Sequence, residues 1–493
     1  MKILLVCPEY PDTFWSFKHA LRFVSKRAGQ PPRGLLTVAA LLPPGWEKRL
    51  VDLNLRPLTT EDLHWADLVF LGAMSVQAES ARSVIDRCNA AGTRIVAGGP
   101  LFTARHEEFP GVDHFVLNEA EITLPAFIDD LRNGRPGRLY TTTEWADLTT
   151  TPLPMWELID PRQYATMNIQ YSRGCPYDCE FCDIPVLFGR VPRTKSADQV
   201  IAEMDAIHRT GWRGHLFFVD DNFIGNRRKL KRDVLPRIVR WMDEHGHPFS
   251  LGTEASLDLS DDPELMDLMA RAGFEEVFVG IETPHADSLE ECKKTPNRGR
   301  DLVASVARLQ KAGLQVQAGF IIGFDSDPPT IFDTMTRFIE ESGIAVAMVG
   351  LLSAPVHSRL HDRLTKENRM LHAFSGNNTD FTMNFVPRMD PGALADGYRR
   401  LLRGIYAPRA YYRRVARFLA RHEPRGRHKA PIALAQVRAL VRSMLLLGVV
   451  GPGRLDYWRL FFWSLLFRPR QFSTGITLAI YGFHFRRVYE LHG

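Results

Sequence analysis

Twice along its length the chain alternates short β-type runs with amphipathic helical stretches, and this pattern limits the fold more than any other feature. In the first series Lys2–Cys7, Arg49–Leu53, Leu68–Ala73, Arg94–Ala97 and His114–Leu117 read as strands, with helical stretches such as Leu35–Leu42 and Glu79–Ala91 between them. Strands separated by helices need crossover connections, which give a parallel sheet covered on both faces. A Thr- and Pro-rich stretch, 141–162, interrupts the pattern. The second series predicts strands at Met167–Tyr171, His215–Val219, Ser250–Thr253, Glu276–Gly280, Val316–Ile322 and Val346–Leu351, and helices such as Ala197–Arg209, Pro263–Ala272 and Asp301–Ala312. Six β/α units are too few for a closed eight-stranded barrel. The expected class is therefore α/β: an N-terminal doubly wound parallel sheet, a partial (β/α)6 TIM barrel and a mainly helical C-terminal region. The expected divisions are 1–145, a linker 146–163, 164–360 and 361–493.

The 493 residues are 45% hydrophobic and 24% charged, enough for several large cores. A net charge of +5 gives no reason to expect a nucleic-acid partner, and no base-stacking module is evident. The opening apolar run, Ile3 to Val6, stops at Cys7-Pro8-Glu9 and is too short for a secretory signal, so a cytoplasmic protein is expected. Cys7, Cys88 and Cys292 are scattered in apolar contexts and read as core residues.

The remaining cysteines are grouped. Ser172-Arg173-Gly174-Cys175-Pro176-Tyr177-Asp178-Cys179-Glu180-Phe181-Cys182 follows directly on a predicted strand. Three thiolates at C-x3-C-x2-C can hold one corner of a [4Fe–4S] cluster. Such clusters normally take four cysteines, and without a nearby fourth one iron stays open for another ligand. A zinc knot is the competing reading, but zinc sites usually pair two C-x2-C halves and no second half is present. Polar residues sit at the ends of later strands: Asp220 and Asp221, Glu254, Glu282 and Asp325. Strand ends form the ligand face of such barrels. The basic segment Phe188–Ser196 reads as an exposed charged loop. In the first series GxGxxG is absent, which disfavours a dinucleotide. Small residues at adjacent strand ends, around Ser75 and Gly98-Gly99-Pro100, give a flat rim suited to a large planar ligand, and Glu119 follows the next strand.

The C-x3-C-x-aromatic-C loop, with Phe181 as the aromatic, resembles the signature of the radical S-adenosylmethionine (SAM) superfamily. The whole layout resembles its cobalamin-dependent branch, in the group containing hopanoid methylases. That resemblance implies a [4Fe–4S] cluster on Cys175, Cys179 and Cys182, with SAM chelating the open iron. It implies SAM contacts at Phe181, Asp220, Asp221, Glu254 and Glu282, and cobalamin held by Ser75, Gly98, Gly99, Pro100 and Glu119. The D-x-H-x-x-G motif that would supply a lower histidine to cobalt is missing. The implied reaction is methylation of an unactivated carbon, on a hopanoid-type lipid or other small molecule, with an electron donor such as flavodoxin or ferredoxin. A non-methylating rearrangement or cyclisation with the same cofactors, and a non-catalytic iron–sulfur protein, are the alternatives.

Beyond residue 360, residues 397–427 carry ten arginines. The apolar segments 443–450, 457–467 and 476–485 are each too short to span a bilayer. Flanking arginines and amphipathic rings suit interfacial helices, so peripheral contact with the inner face of a membrane is expected.

Overall fold

A computed structural model describes residues 1–377, 379–425 and 434–492. Residues 426–433, at the end of the basic stretch, lie outside the described residues. The first series forms a six-stranded parallel sheet: β1 (Lys2–Cys7), β2 (Glu47–Asp52), β3 (Leu68–Gly72), β4 (Arg94–Gly98), β5 (His114–Val116) and β6 (Leu139–Tyr140), in the order β2-β1-β3-β4-β5-β6. Both faces are covered, as the apolar runs require. Leu4, Val6, Val69 and Leu71 enter one core, while Ile3, Leu5, Leu68 and Phe70 enter the other. The two-residue β6 was not expected from the sequence, since Leu139-Tyr140 offers no periodicity.

The second series begins with β7 (Met167–Ile169). A small antiparallel hairpin follows, β8 (Ser172–Arg173) with β9 (Arg193–Thr194). The other barrel strands are β10 (His215–Phe218), β11 (Ser250–Ala255), β12 (Phe274–Glu282), β13 (Gln315–Ile322) and β14 (Ala347–Leu351). They form one parallel sheet, β14-β13-β12-β11-β10-β7. Alternation decides the two faces. Leu216, Leu251, Val277, Val316 and Ala347 join the main hydrophobic core. The other set, with Ser250, Glu254, Phe278, Gln317 and Met348, lines a cavity, and it includes the glycines Gly252, Gly280, Gly319 and Gly350. A closed barrel fills this space with layers of branched side chains; here Gly252, Gly280 and Gly319 make room for polar and aromatic neighbours instead.

The gap between the edge strands β7 and β14 is lined by the N-terminal segment. Trp15 Nε1 donates to Met348 Sδ at 2.9 Å, and Asn168 Nδ2 donates to Gln30 Oε1 at 3.2 Å. The C-terminal helices Pro391–Tyr406, Pro408–Arg421, Leu434–Leu445, Arg454–Phe467 and Phe472–His492 pack behind it. Tyr398 and Tyr406 hydroxyls donate to the Val349 and Ala347 carbonyls of β14 at 2.7 and 2.6 Å. Phe14 stacks on Phe485 with ring centroids 4.0 Å apart. Among the described residues no helix is long and apolar enough to cross a membrane.

Candidate functional site

The three grouped cysteines lie on the loop between β8 and β9, beyond the carboxyl end of β7. Gly174 has φ +90°, and a Cβ there would stand 2.9 Å from the carbonyl oxygens of both Phe188 and Gly189. Only glycine allows this turn. The acids at the end of β10 brace the loop. Tyr171 N donates to Asp220 Oδ2 at 3.1 Å, the Ser172 amide donates to Asp220, and Gly174 N donates to Asp221 Oδ2 at 2.8 Å. Burial raises all three thiols, and the field of Cys175 adds to the rise at Cys179 and Cys182. The compensating cation is Lys294, whose charge favours the thiolates of Cys175 and Cys179. Lys294 Nζ stands 2.6 Å from Glu282 Oε1. Burial opposes its charge, but Glu282 and Cys179 hold it well above the ordinary lysine range. Glu282 itself is a non-glycine residue at φ +64°, placed where the β12–β13 register shifts. Strain of this kind persists only where surrounding contacts enforce it.

The Glu254 carboxyl, at the end of β11, has no hydrogen-bond partner among the described residues. Burial raises its carboxyl to about 8, and the neighbouring Asp221 and Asp220 add to the effect. Burial raises Asp221 to about 6 and Asp220 to about 7. A buried acid trio that holds its protons near neutrality is a site short of a cation.

These acids line a cavity of about 1840 Å³. It reaches from Gly98, Gly99 and Pro100 on the N-terminal sheet, through the barrel, to Leu440 and Ile480 on the C-terminal helices. At its sheet end, a Cβ on Gly98 would stand 2.6 Å from Val116 O, and Gly99 has φ +92°, so the rim is built from residues that nothing larger can replace. Ser75 lies instead on a smaller cavity of about 180 Å³, which it borders with Pro100, Asn118 and His357.

Residues 169–339 match the Radical SAM superfamily, 26–128 match the B12 binding domain, and 358–492 match a domain of unknown function, DUF4070. An uncharacterized methyltransferase of Synechocystis sp. is 40% identical over all of this chain and 92% of its own length. The hopanoid C-2 methylase of Rhodopseudomonas palustris is 34% identical over 93% of this chain and 88% of its own. The chain belongs to the cobalamin-dependent radical SAM methyltransferases. The cobalamin-dependent radical SAM enzyme OxsB, solved with aqua-cobalamin and SAM, shares the fold at a TM-score of 0.63 and 13% identity, covering 100% of this chain and 79% of that one.

A cobalamin-dependent radical SAM methyltransferase uses a [4Fe–4S] cluster, SAM and cobalamin, and the residues present fit all three. Three neighbouring thiols with a buried ammonium beside them suit an anionic cluster. Among the described residues no three His, Cys, Asp or Glu side chains are gathered as a single metal ion requires; a cubane, which distributes its ligands over separate irons, asks for a wider triangle. The acid trio suits the cationic groups of SAM. The glycine-edged rim suits a broad planar ring system.

The structure rearranges several expectations. Phe188–Ser196, expected to be an exposed charged loop, is exposed only at Arg190 and Val191. Lys195 is 1% exposed and paired with Glu203, which also pairs with Arg33 at 3.0 Å. Arg193 pairs with Glu119 at 2.8 Å. The β8–β9 hairpin folds this segment back across the domain seam, where its charges must be matched. Glu119 borders the cavity, but its carboxylate is committed to Arg173 and Arg193. Glu121 pairs with Arg173 at 2.7 Å, which holds it down to about 2 despite burial. Asp325 is engaged by Arg363 and Arg369 at 2.9 and 2.7 Å. Phe181 packs on the edge of a satellite core with Phe324, at 6.4 Å between ring centroids. Cys7, Cys88 and Cys292 are free and buried. Lys294 went unnoticed in the sequence. So did His215, Glu276 and Gln317, although polar residues at inward positions of apolar strands are a readable signal.

Proposed function

We propose that this enzyme transfers a methyl group to an unactivated carbon of a polycyclic, hopanoid-type lipid. The observation that carries the reading is the cavity of about 1840 Å³, walled between its two polar ends by Trp15, Phe217, Phe278 and Met348 and continuous with the C-terminal helices. Beyond the parts bordered by the SAM acids and the cobalamin rim, its apolar walls suit a bulky rigid apolar molecule. The 34% identity to a hopanoid C-2 methylase supports the same class.

Cys175, Cys179 and Cys182 hold the cluster, with Phe181 packed beneath the loop. Asp220 and Asp221 fix that loop from the β10 end, and Asp221, Glu254 and Glu282 face SAM. Ser75, Gly98, Gly99 and Pro100 form the cobalamin rim, and Glu119 locks that rim to the barrel through Arg173 and Arg193. When bound, these groups supply a carbon-centred radical and a transferable methyl group. The protein's own work is to hold its thiols near a cation, to offer ionisable acids to SAM, and to keep water from the apolar chamber. The chain divides at 1–145, 146–163, 164–360 and 361–493, with a flavodoxin- or ferredoxin-type donor supplying electrons.

The substrate class calls for a cytoplasmic protein that touches the membrane's inner face. Leu455, Phe462, Leu466 and Phe467 are exposed on the Arg454–Phe467 helix, and Val449 and Val450 at the end of the π-helical segment before it. Arg459, Arg468 and Arg470 are exposed beside them. An apolar patch with basic neighbours suits an anionic bilayer surface.

Anaerobic reconstitution with iron, sulfide and cobalamin, then incubation with methyl-deuterated SAM and a hopanoid, tests the reading. The expected product gains a deuterated methyl group on carbon. A product with no transferred methyl rejects it.

A further inference from the structure

At the far end of the same cavity, the amino-terminal ends of the barrel strands carry polar side chains remote from the thiol loop. Ser250 Oγ lies 3.0 Å from His215 Nδ1, and His215 Nε2 lies 2.9 Å from Glu276 Oε1. Gln317 Nε2 donates to Glu276 Oε2 at 2.8 Å. Four adjacent strands, β10 to β13, thus contribute one connected polar floor. Gly252 makes room for it: a Cβ there would stand 2.8 Å from both His215 Nε2 and Glu276 Cγ.

Two features separate this floor from an ordinary structural ion pair. His215 and Glu276 keep 21% and 23% of their side-chain surface open, and all four residues line the cavity. Burial alone lowers the imidazole, yet the Glu276 carboxylate raises His215 above its ordinary value, so a charged pair faces a chamber with apolar walls. A carboxylate accepts about four hydrogen bonds, and Glu276 takes one, from Gln317, beside its ion-pair contact with His215. An occupant made only of hydrocarbon strips water from this pair and returns nothing; an occupant with a hydroxyl completes it.

We propose that Ser250, His215, Glu276 and Gln317 form a receptor for the hydroxyl-bearing end of the lipid, and so determine which carbon reaches the cofactors. The proposal rests on the lipid-methylase reading and deepens it. Ser250 and Glu254 lie four residues apart on the same face of β11, about 13 Å along the strand. An occupant anchored at the floor presents to the acid trio a carbon about 13 Å from its hydroxyl. The preferred substrate is a rigid apolar body of that length, polar at one end only.

The test uses the full-length enzyme loaded with cluster and cobalamin. Two radiolabelled probes in detergent micelles are compared, a pentacyclic triterpene carrying a terminal hydroxyl and its deoxy hydrocarbon counterpart. The wild-type chain is expected to bind the hydroxylated probe about tenfold or more tightly. Gln317→Leu and His215→Phe are each expected to reduce that preference to about twofold or less, with unchanged cobalamin and cluster spectra. His215→Phe is also expected to scatter the transferred methyl over more than one carbon. Equal binding of both probes by the wild type, or an undiminished preference in Gln317→Leu, overturns the receptor and leaves the lipid reading intact. Binding of neither probe overturns the lipid reading, and the receptor with it. If His215→Phe loses its cobalamin spectrum, Gln317→Leu decides, since that side chain makes a single contact to Glu276.

Discussion

The two ends of the barrel are built alike and serve opposite purposes. At the carboxyl end an ion pair, Lys294–Glu282, lies over Gly280; at the amino end another, His215–Glu276, lies over Gly252. The upper pair is closed in, with side chains 14% and 8% exposed, and its cation faces three thiols. The lower pair remains open to the cavity. A buried ammonium among thiols favours a fixed anionic group, whereas a partly open pair on a polar floor beneath apolar walls favours a ligand that comes and goes. Similar chemistry is turned into cofactor support at one end and substrate selection at the other by burial alone.

The comparison breaks first at the thiols. Cys179→Ala is expected to abolish formation of 5′-deoxyadenosine from SAM, while His215→Phe retains it; chromatography of the two reaction mixtures checks this, and equal loss from both would erase the division of labour. Next come the glycines. A Cβ at Gly280 would stand 2.6 Å from Lys294 Nζ. Gly280→Ala is therefore expected to break a buried pair and cost about 3 kcal/mol of stability. Gly252→Ala presses on His215 Nε2 and Glu276 Cγ, whose side chains are partly open and can shift into the cavity, and is expected to cost about 1 kcal/mol. Denaturant unfolding of both variants measures the difference.

Glu254 sharpens the upper half. Its carboxyl holds a proton up to about pH 8 in the folded chain, against an ordinary value of 4.5. A cation binds the ionised form, so SAM affinity is expected to rise between pH 6 and pH 9 and to be nearly flat in Glu254→Gln. At pH 9 the variant should bind about tenfold more weakly, as expected for a lost hydrogen bond to a charged group. Calorimetric titration gives both numbers. Between pH 4.5 and 8 the folded chain keeps a proton that the unfolded chain releases, so the stability of the SAM-free protein falls with rising pH over that window. The smallest expected effect lies outside the barrel. Leu466→Ser with Phe467→Ser should weaken sedimentation with phosphatidylglycerol vesicles several-fold while turnover of detergent-dispersed lipid stays unchanged.

Much of this was legible in the chain. The parallel sheets follow from apolar runs that are hydrophobic on both alternations, and Ala197–Arg209 and Pro263–Ala272 form helices with the expected bounds. The thiol spacing, Gly174 and the strand-end acids are local features, and local features survive in sequence. The roles of Lys195, Glu119 and Asp325 did not, because a charge reads the same whether it is solvated or paired across a seam.

The sequence alone determined the layered α/β plan, the thiol loop and the glycine-edged rim, since each depends on residues close together in the chain or on a period that a strand or helix imposes. Only the tertiary structure decided which acids stand without a partner, that Lys294 sits among the thiols, and that His215, Ser250, Glu276 and Gln317 meet on one floor. Those facts depend on register between strands up to 102 residues apart, and register is fixed by packing and by where glycine leaves room.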